Sequence, residues 1–114
     1  MGTMLEKLNE YGADVQGAME RFLGDEELYE ACFMVFLADE AFPLLGEALA
    51  LKDYTQAFEA AHTLKGVAGN MGLTPIYNLI CGIVDALRAK DYSDLQTQYA
   101  EINNQLSKLK AIQA

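Results

Sequence analysis

A chain of 114 residues, 52% of them hydrophobic, is long enough to bury one core without metals or disulfides and too apolar to remain disordered. Its formal charge of −9 disfavours nucleic acid and anionic membrane surfaces, since both demand a positive footprint. No apolar run approaches ~18 residues and no basic leader precedes an apolar core, so neither a membrane span nor a signal peptide is expected. The expectation is a single domain over residues 1–114, monomeric and cytoplasmic.

The first predicted helix covers Met1 to Glu10, with Met4, Leu5 and Leu8 inward. Tyr11-Gly12-Ala13 breaks it, and Asp14 is a good N-cap for a second short helix carrying Val15, Ala18, Met19 and Phe22, which stops at Gly24. This N-terminal helical segment, 1–23, precedes longer helical patterns over 25–113. Asp25 caps the next helix, and Glu26 and Glu27 in its first turn suit the positive end of the dipole. Such an acidic cluster reads as a solvated helix start rather than a metal site. The apolar pattern runs through Leu28, Cys32, Val35 and Phe36 and resumes at Leu45 and Leu49 beyond Pro43. Proline removes a backbone donor and clashes with the preceding turn, so either a kink near Asp39 to Phe42 or two consecutive helices is expected. Phe33, Met34, Phe36 and Phe42 are assigned to the core, with a partly exposed patch. Cys32 and Cys81 sit in apolar helical stretches without chelating spacing, which predicts buried, reduced thiols.

Asp53 is the expected N-cap of the helix that holds the only histidine. Tyr54, Ala57, Phe58, Ala61, Leu64, Lys65 and Ala68 recur at three- and four-residue intervals and fall on one stripe, with His62 at its edge. Four and seven residues on, near the same azimuth, stand Gly66 and Gly69. Interior glycines cost roughly 1 kcal/mol each relative to alanine. Access explains the sacrifice, because a side chain at either position would stand beside the imidazole. Lys65 has a stem long enough to cover apolar neighbours and lift its ammonium towards whatever the imidazole carries, which suits an oxygen-rich anion. Each residue also has an ordinary reading, as a surface histidine, a snorkelling lysine or glycines that permit tight packing. Their joint occurrence at i, i+3, i+4 and i+7 favours a site.

The histidine helix bends or ends at Asn70-Met71-Gly72, and Thr74-Pro75 opens the next, threonine capping and proline at the first helical position. Ile76, Leu79, Ile80, Ile83, Val84 and Leu87 form its buried face, and Arg88 to Lys90 close it. After Asp91 to Asp94 the last helix carries Leu95, Tyr99, Ile102, Leu106 and Leu109, a four-three spacing typical of antiparallel bundles. The predicted fold is all-α, an up-and-down antiparallel four-helix bundle with one or two short N-terminal helices.

His62-Thr63-Leu64-Lys65-Gly66, followed by Gly72 ten residues after the histidine, resembles the signature of the histidine phosphotransfer (HPt) family, and the order of helices is similar over most of the chain. The resemblance implies that His62 accepts a phosphoryl group from a receiver-domain aspartate and passes it to another. It also implies that Lys65 is the cation beside the phosphoryl oxygens and Gly66 the small residue that opens the approach. Many members carry Glu or Gln where Val84 stands here, so no hydrogen bond to His62 is expected from that helix. The N-terminal helices are implied to pack across one end of the bundle, with Met19, Phe22 and Gly69 as candidate docking residues. Implied partners are response-regulator receiver domains and a sensor histidine kinase. No cofactor or metal of its own is expected, with Mg²⁺ supplied by the receiver. The chain has neither a glycine-lysine nucleotide loop nor a kinase signature, so a phosphocarrier and not an enzyme is expected. Alternatives are the phosphotransfer segment of a larger chemotaxis-type or hybrid sensor kinase, and a receiver-binding adaptor that carries no phosphate.

Overall fold

Three aspartates set where helices begin. Asp14, Asp25 and Asp53 each accept a hydrogen bond from the backbone N–H three residues on, at Gly17 (3.1 Å), Leu28 (3.0 Å) and Gln56 (3.2 Å), as the sequence predicts. In the computed structural model, which describes residues 2–113, the chain forms seven helices and, among those residues, no strand. They are α1 (Met4–Tyr11), α2 (Val15–Arg21), α3 (Glu26–Leu37), α4 (Ala41–Ala50), α5 (Tyr54–Asn70), α6 (Thr74–Arg88) and α7 (Leu95–Gln113). Helix α1 begins later than its sequence suggests because Thr3 caps it, accepting from the Glu6 N–H at 3.2 Å. The part of that prediction falling on Met1 lies outside the described residues.

Of the two outcomes open at Pro43, the chain takes two consecutive helices. It leaves α3 at Ala38, Asp39 accepts from the Ala41 N–H at 2.8 Å, and Pro43 stands in the first turn of α4, where no backbone donor is needed. The start of α6 differs from its prediction by one residue. Leu73 is the N-cap, Thr74 is the first helical residue and Pro75 the second, while the Thr74 hydroxyl donates back to the Gly72 carbonyl at 3.3 Å. The cause is that the Leu73 carbonyl already accepts the first helical bond, from the Tyr77 N–H at 2.8 Å.

Helices α4, α5, α6 and α7 pack in sequence order, and α3 and α4 close the bundle against α7. The Tyr99 hydroxyl of α7 ties that closure by donating to the Phe42 carbonyl at 3.1 Å. Ile76, Ile80, Ile83, Val84, Ile102 and Leu109 are fully buried, so α6 and α7 turn inward the faces read from their spacing. Helix α3 turns a different face. Tyr29, Phe33, Phe36 and Leu37 are buried, whereas Leu28 and Val35, expected inside, are 50% and 71% exposed. This helix is apolar around most of its circumference, so periodicity does not choose a side; the aromatic residues, with more area to bury, decide it. Phe36 and Phe42 meet edge to face with centroids 5.3 Å apart, and Met34 is left exposed beside them. Cys32 and Cys81 are unpaired thiols, half-buried instead of fully buried.

The Tyr29 hydroxyl, inside the core, donates to the Met71 carbonyl at 2.8 Å. Burial pushes this phenol from its ordinary 10.0 up to about 12, with Arg21 opposing, and burial also pushes Tyr11 up to about 12. Both groups ionise more readily in the unfolded chain. The stability they carry is therefore complete below pH 10.0 and lost as pH rises towards about 12. We expect the melting temperature to drop across that interval and the drop to shrink in Tyr11→Phe/Tyr29→Phe; an equal drop in both proteins would contradict the assignment.

Candidate functional site

Helix α5 buries Ala57, Ala61, Leu64 and Ala68 on one side and leaves His62, in its middle, exposed to solvent. The ring rests on Phe58, one turn earlier, with centroids 5.7 Å apart and planes inclined by 25°. The Arg88 guanidinium also lies over the Phe58 ring, 5.4 Å from its centroid. The imidazole thus has an aromatic floor and an open outer side. Val84 is fully buried and has no polar atom to offer the ring.

A groove of about 440 Å³ opens beside the ring, lined by Arg21, His62, Lys65, Gly66, Gly69, Asn70 and Tyr77. Two of these side chains are cations and none is a carboxylate. In a chain of net charge −9 this is a local reversal of sign, and it makes the groove a place for an anion. Among the described residues no cluster of His, Cys, Asp and Glu suits a metal ion.

The three glycines of this stretch do three different things. A Cβ built at Gly66 would meet nothing within 4 Å, so its absence is not demanded by packing and leaves the space beside His62 clear. A Cβ at Gly69 would stand 2.9 Å from the Tyr77 ring, so Gly69, which lines the groove, also lets the Tyr77 side chain of α6 lie against α5. Gly72 has φ +69°, in the left-handed region, and a Cβ there would come within 2.6 Å of the Asp14 carbonyl oxygen. The Asp14 N–H donates to the Gly72 carbonyl at 2.8 Å, so this glycine is where the α1–α2 link docks onto the α5–α6 turn.

Lys65 is half-buried and lines the groove with His62, as its place on the stripe suggests. Met19 and Phe22 are also half-buried, packed against the core, and neither lines the groove; Phe22 meets Tyr29 edge to face at 5.2 Å. The apolar side chain at that end with most surface is Leu23, 92% exposed. Of the groove residues that the sequence reading missed, Arg21 and Tyr77, the arginine is the charged one. Its Nε donates to the Asn70 carbonyl at 2.8 Å and its Nη2 to the Gly69 carbonyl at 3.2 Å, which ties the end of α2 to the end of α5. One signal was available: Arg21 is the only basic residue between Lys7 and Lys52.

A family model described as the Hpt domain matches residues 36–112. No curated protein and no solved structure gives a match.

Proposed function

Because the chain belongs to the Hpt domain family, whose members carry out histidine phosphotransfer in phosphorelays, we propose that His62 is its phosphoacceptor, taking a phosphoryl group from a receiver aspartate and handing it to another receiver. The observation that carries this reading is the exposed ring at the edge of a cationic groove, with clear space at Gly66.

The chemistry follows from imidazole itself, whose neutral form carries a lone pair on one ring nitrogen. The lone pair of Nε2, the distal nitrogen, forms a bond to phosphorus while the P–O bond of the aspartyl phosphate breaks and the carboxylate leaves with the electron pair. The transition state is loose, with charge on the equatorial oxygens, so positioning and charge compensation are most of what the proteins supply. Lys65 compensates charge from this side. Mg²⁺ and the remaining positive charge come from the receiver, and the return transfer reverses the same bonds. A receiver domain and the kinase that feeds it are the partners this chemistry requires.

The test is incubation with receivers charged by acetyl phosphate, followed by detection of acid-labile, base-stable label on this chain. No label from any charged receiver, with complexes still forming, would leave an adaptor. Gly66→Leu separates access from chemistry. An added Cβ meets nothing within 4 Å, so we expect the variant to fold, transfer from a receiver to fall at least about tenfold, and phosphorylation by the small donor phosphoramidate to persist. Normal receiver transfer in this variant would refute the access role of Gly66.

A further inference from the structure

Among the described residues, no side chain or backbone group hydrogen-bonds to either ring nitrogen of His62. What the ring does have is the stack on Phe58, with planes inclined by 25°. Long helical side chains lean back towards the N-terminus, so the residue that His62 leans upon is the one four places earlier. Four places later stands Gly66, which offers no side chain, and the imidazole is therefore supported on one side and clear on the other. The support is itself fixed. Phe58 is half-buried and packed against the core, and the Arg88 guanidinium from the end of α6 lies over its ring.

Filling this edge of the core needs only an apolar side chain of suitable size. An aromatic ring adds a flat face, against which an imidazole lies nearly parallel. We propose that Phe58 is a positioning residue for phosphoryl transfer, holding the His62 ring in one orientation so that Nε2 meets the aspartyl phosphate of a docked receiver in line. The inference rests on the phosphoacceptor reading and deepens it. A docked receiver fixes the direction of the P–O bond that breaks, so an imidazole spread over several rotamers spends part of its time misaligned. Phosphoramidate is free to follow the ring, and gains nothing from its being held.

Single-turnover transfer from a receiver charged by acetyl phosphate is measured over a range of receiver concentrations. In Phe58→Leu the limiting rate should fall about fivefold, with the half-saturating concentration and the phosphoramidate rate near wild type. Phe58→Tyr, which keeps the flat face, should restore the limiting rate, and Ile102→Val, which loosens the buried core from α7, should not lower it. His62 is the only histidine, so its ring protons can be read directly by NMR. The phenyl ring current should displace them in wild type and in Phe58→Tyr but not in Phe58→Leu. An unchanged limiting rate in Phe58→Leu overturns the proposal, and so does a change confined to the half-saturating concentration, which would make Phe58 a docking contact. An equal fall with phosphoramidate overturns it too, because the nucleophile and not its orientation would then have changed. Should Phe58→Leu not fold, undisplaced His62 protons in wild type overturn the proposal without it. If wild type takes up no phosphoryl group from either donor, the phosphoacceptor reading fails and this inference falls with it.

Discussion

We expect His62→Gln to take up no phosphoryl group, from a charged receiver or from phosphoramidate, and to melt at the wild-type temperature. The amide nitrogen of glutamine has its lone pair delocalised into the carbonyl and cannot replace Nε2 as nucleophile, so the expected loss is complete. The side chain it replaces is exposed and touches chiefly the Phe58 ring, so the stability change stays within about 0.5 kcal/mol. Both halves matter. Intact-protein mass spectrometry under mild alkaline conditions reads the uptake and a thermal melt reads the fold. Residual label on His62→Gln would move the acceptor elsewhere, and a large loss of stability would mean that the histidine serves the bundle instead of a partner.

Gly72→Ala acts in the opposite way, on the fold and not on the chemistry. Its φ of +69° costs an alanine about 1 kcal/mol, and the added Cβ would press against a backbone oxygen of Asp14 at 2.6 Å, which no side-chain rotation relieves. Moving that backbone also disturbs the bond from the Asp14 N–H to the Gly72 carbonyl. We expect a loss of about 3 kcal/mol and a melting temperature lower by about 12 °C. Gly66→Ala is the control, since it meets open space on a regular helix and should stabilise by up to about 1 kcal/mol. Equal melting temperatures for the two alanine variants would refute the structural assignment of Gly72.

Where a single residue type decides an outcome, the sequence was enough. Aspartate at 14, 25 and 53 announces three helix starts, and the spacing of α6 and α7 announces their inner faces, because an oxygen acceptor or a one-sided apolar stripe has one good solution. The exposure of His62 was legible for the same reason, being fixed by the stripe beside it. Helix α3 was not: apolar on nearly every side, it could be turned to bury Leu28 and Val35 or Tyr29 and Phe33, and packing against the rest of the bundle made the choice. Gly66 and Gly69 look alike in one dimension, three residues apart on one helix. Only the approach of Tyr77 from another helix tells them apart. Arg21 belongs to this second class, because its partners at Gly69 and Asn70 are far away along the chain.

The α5–α6 turn receives Arg21, Asp14 and Tyr29 on four successive carbonyls, from Gly69 to Gly72, and all three donors precede residue 36, where the family match begins. A fragment cut at that boundary would retain His62 and most of the core, yet leave the Asn70 and Met71 carbonyls without donors and the groove without Arg21. Anyone grafting this carrier onto another relay should therefore move the leading helices with it, because they complete the tip of the domain as an arch is completed by its keystone.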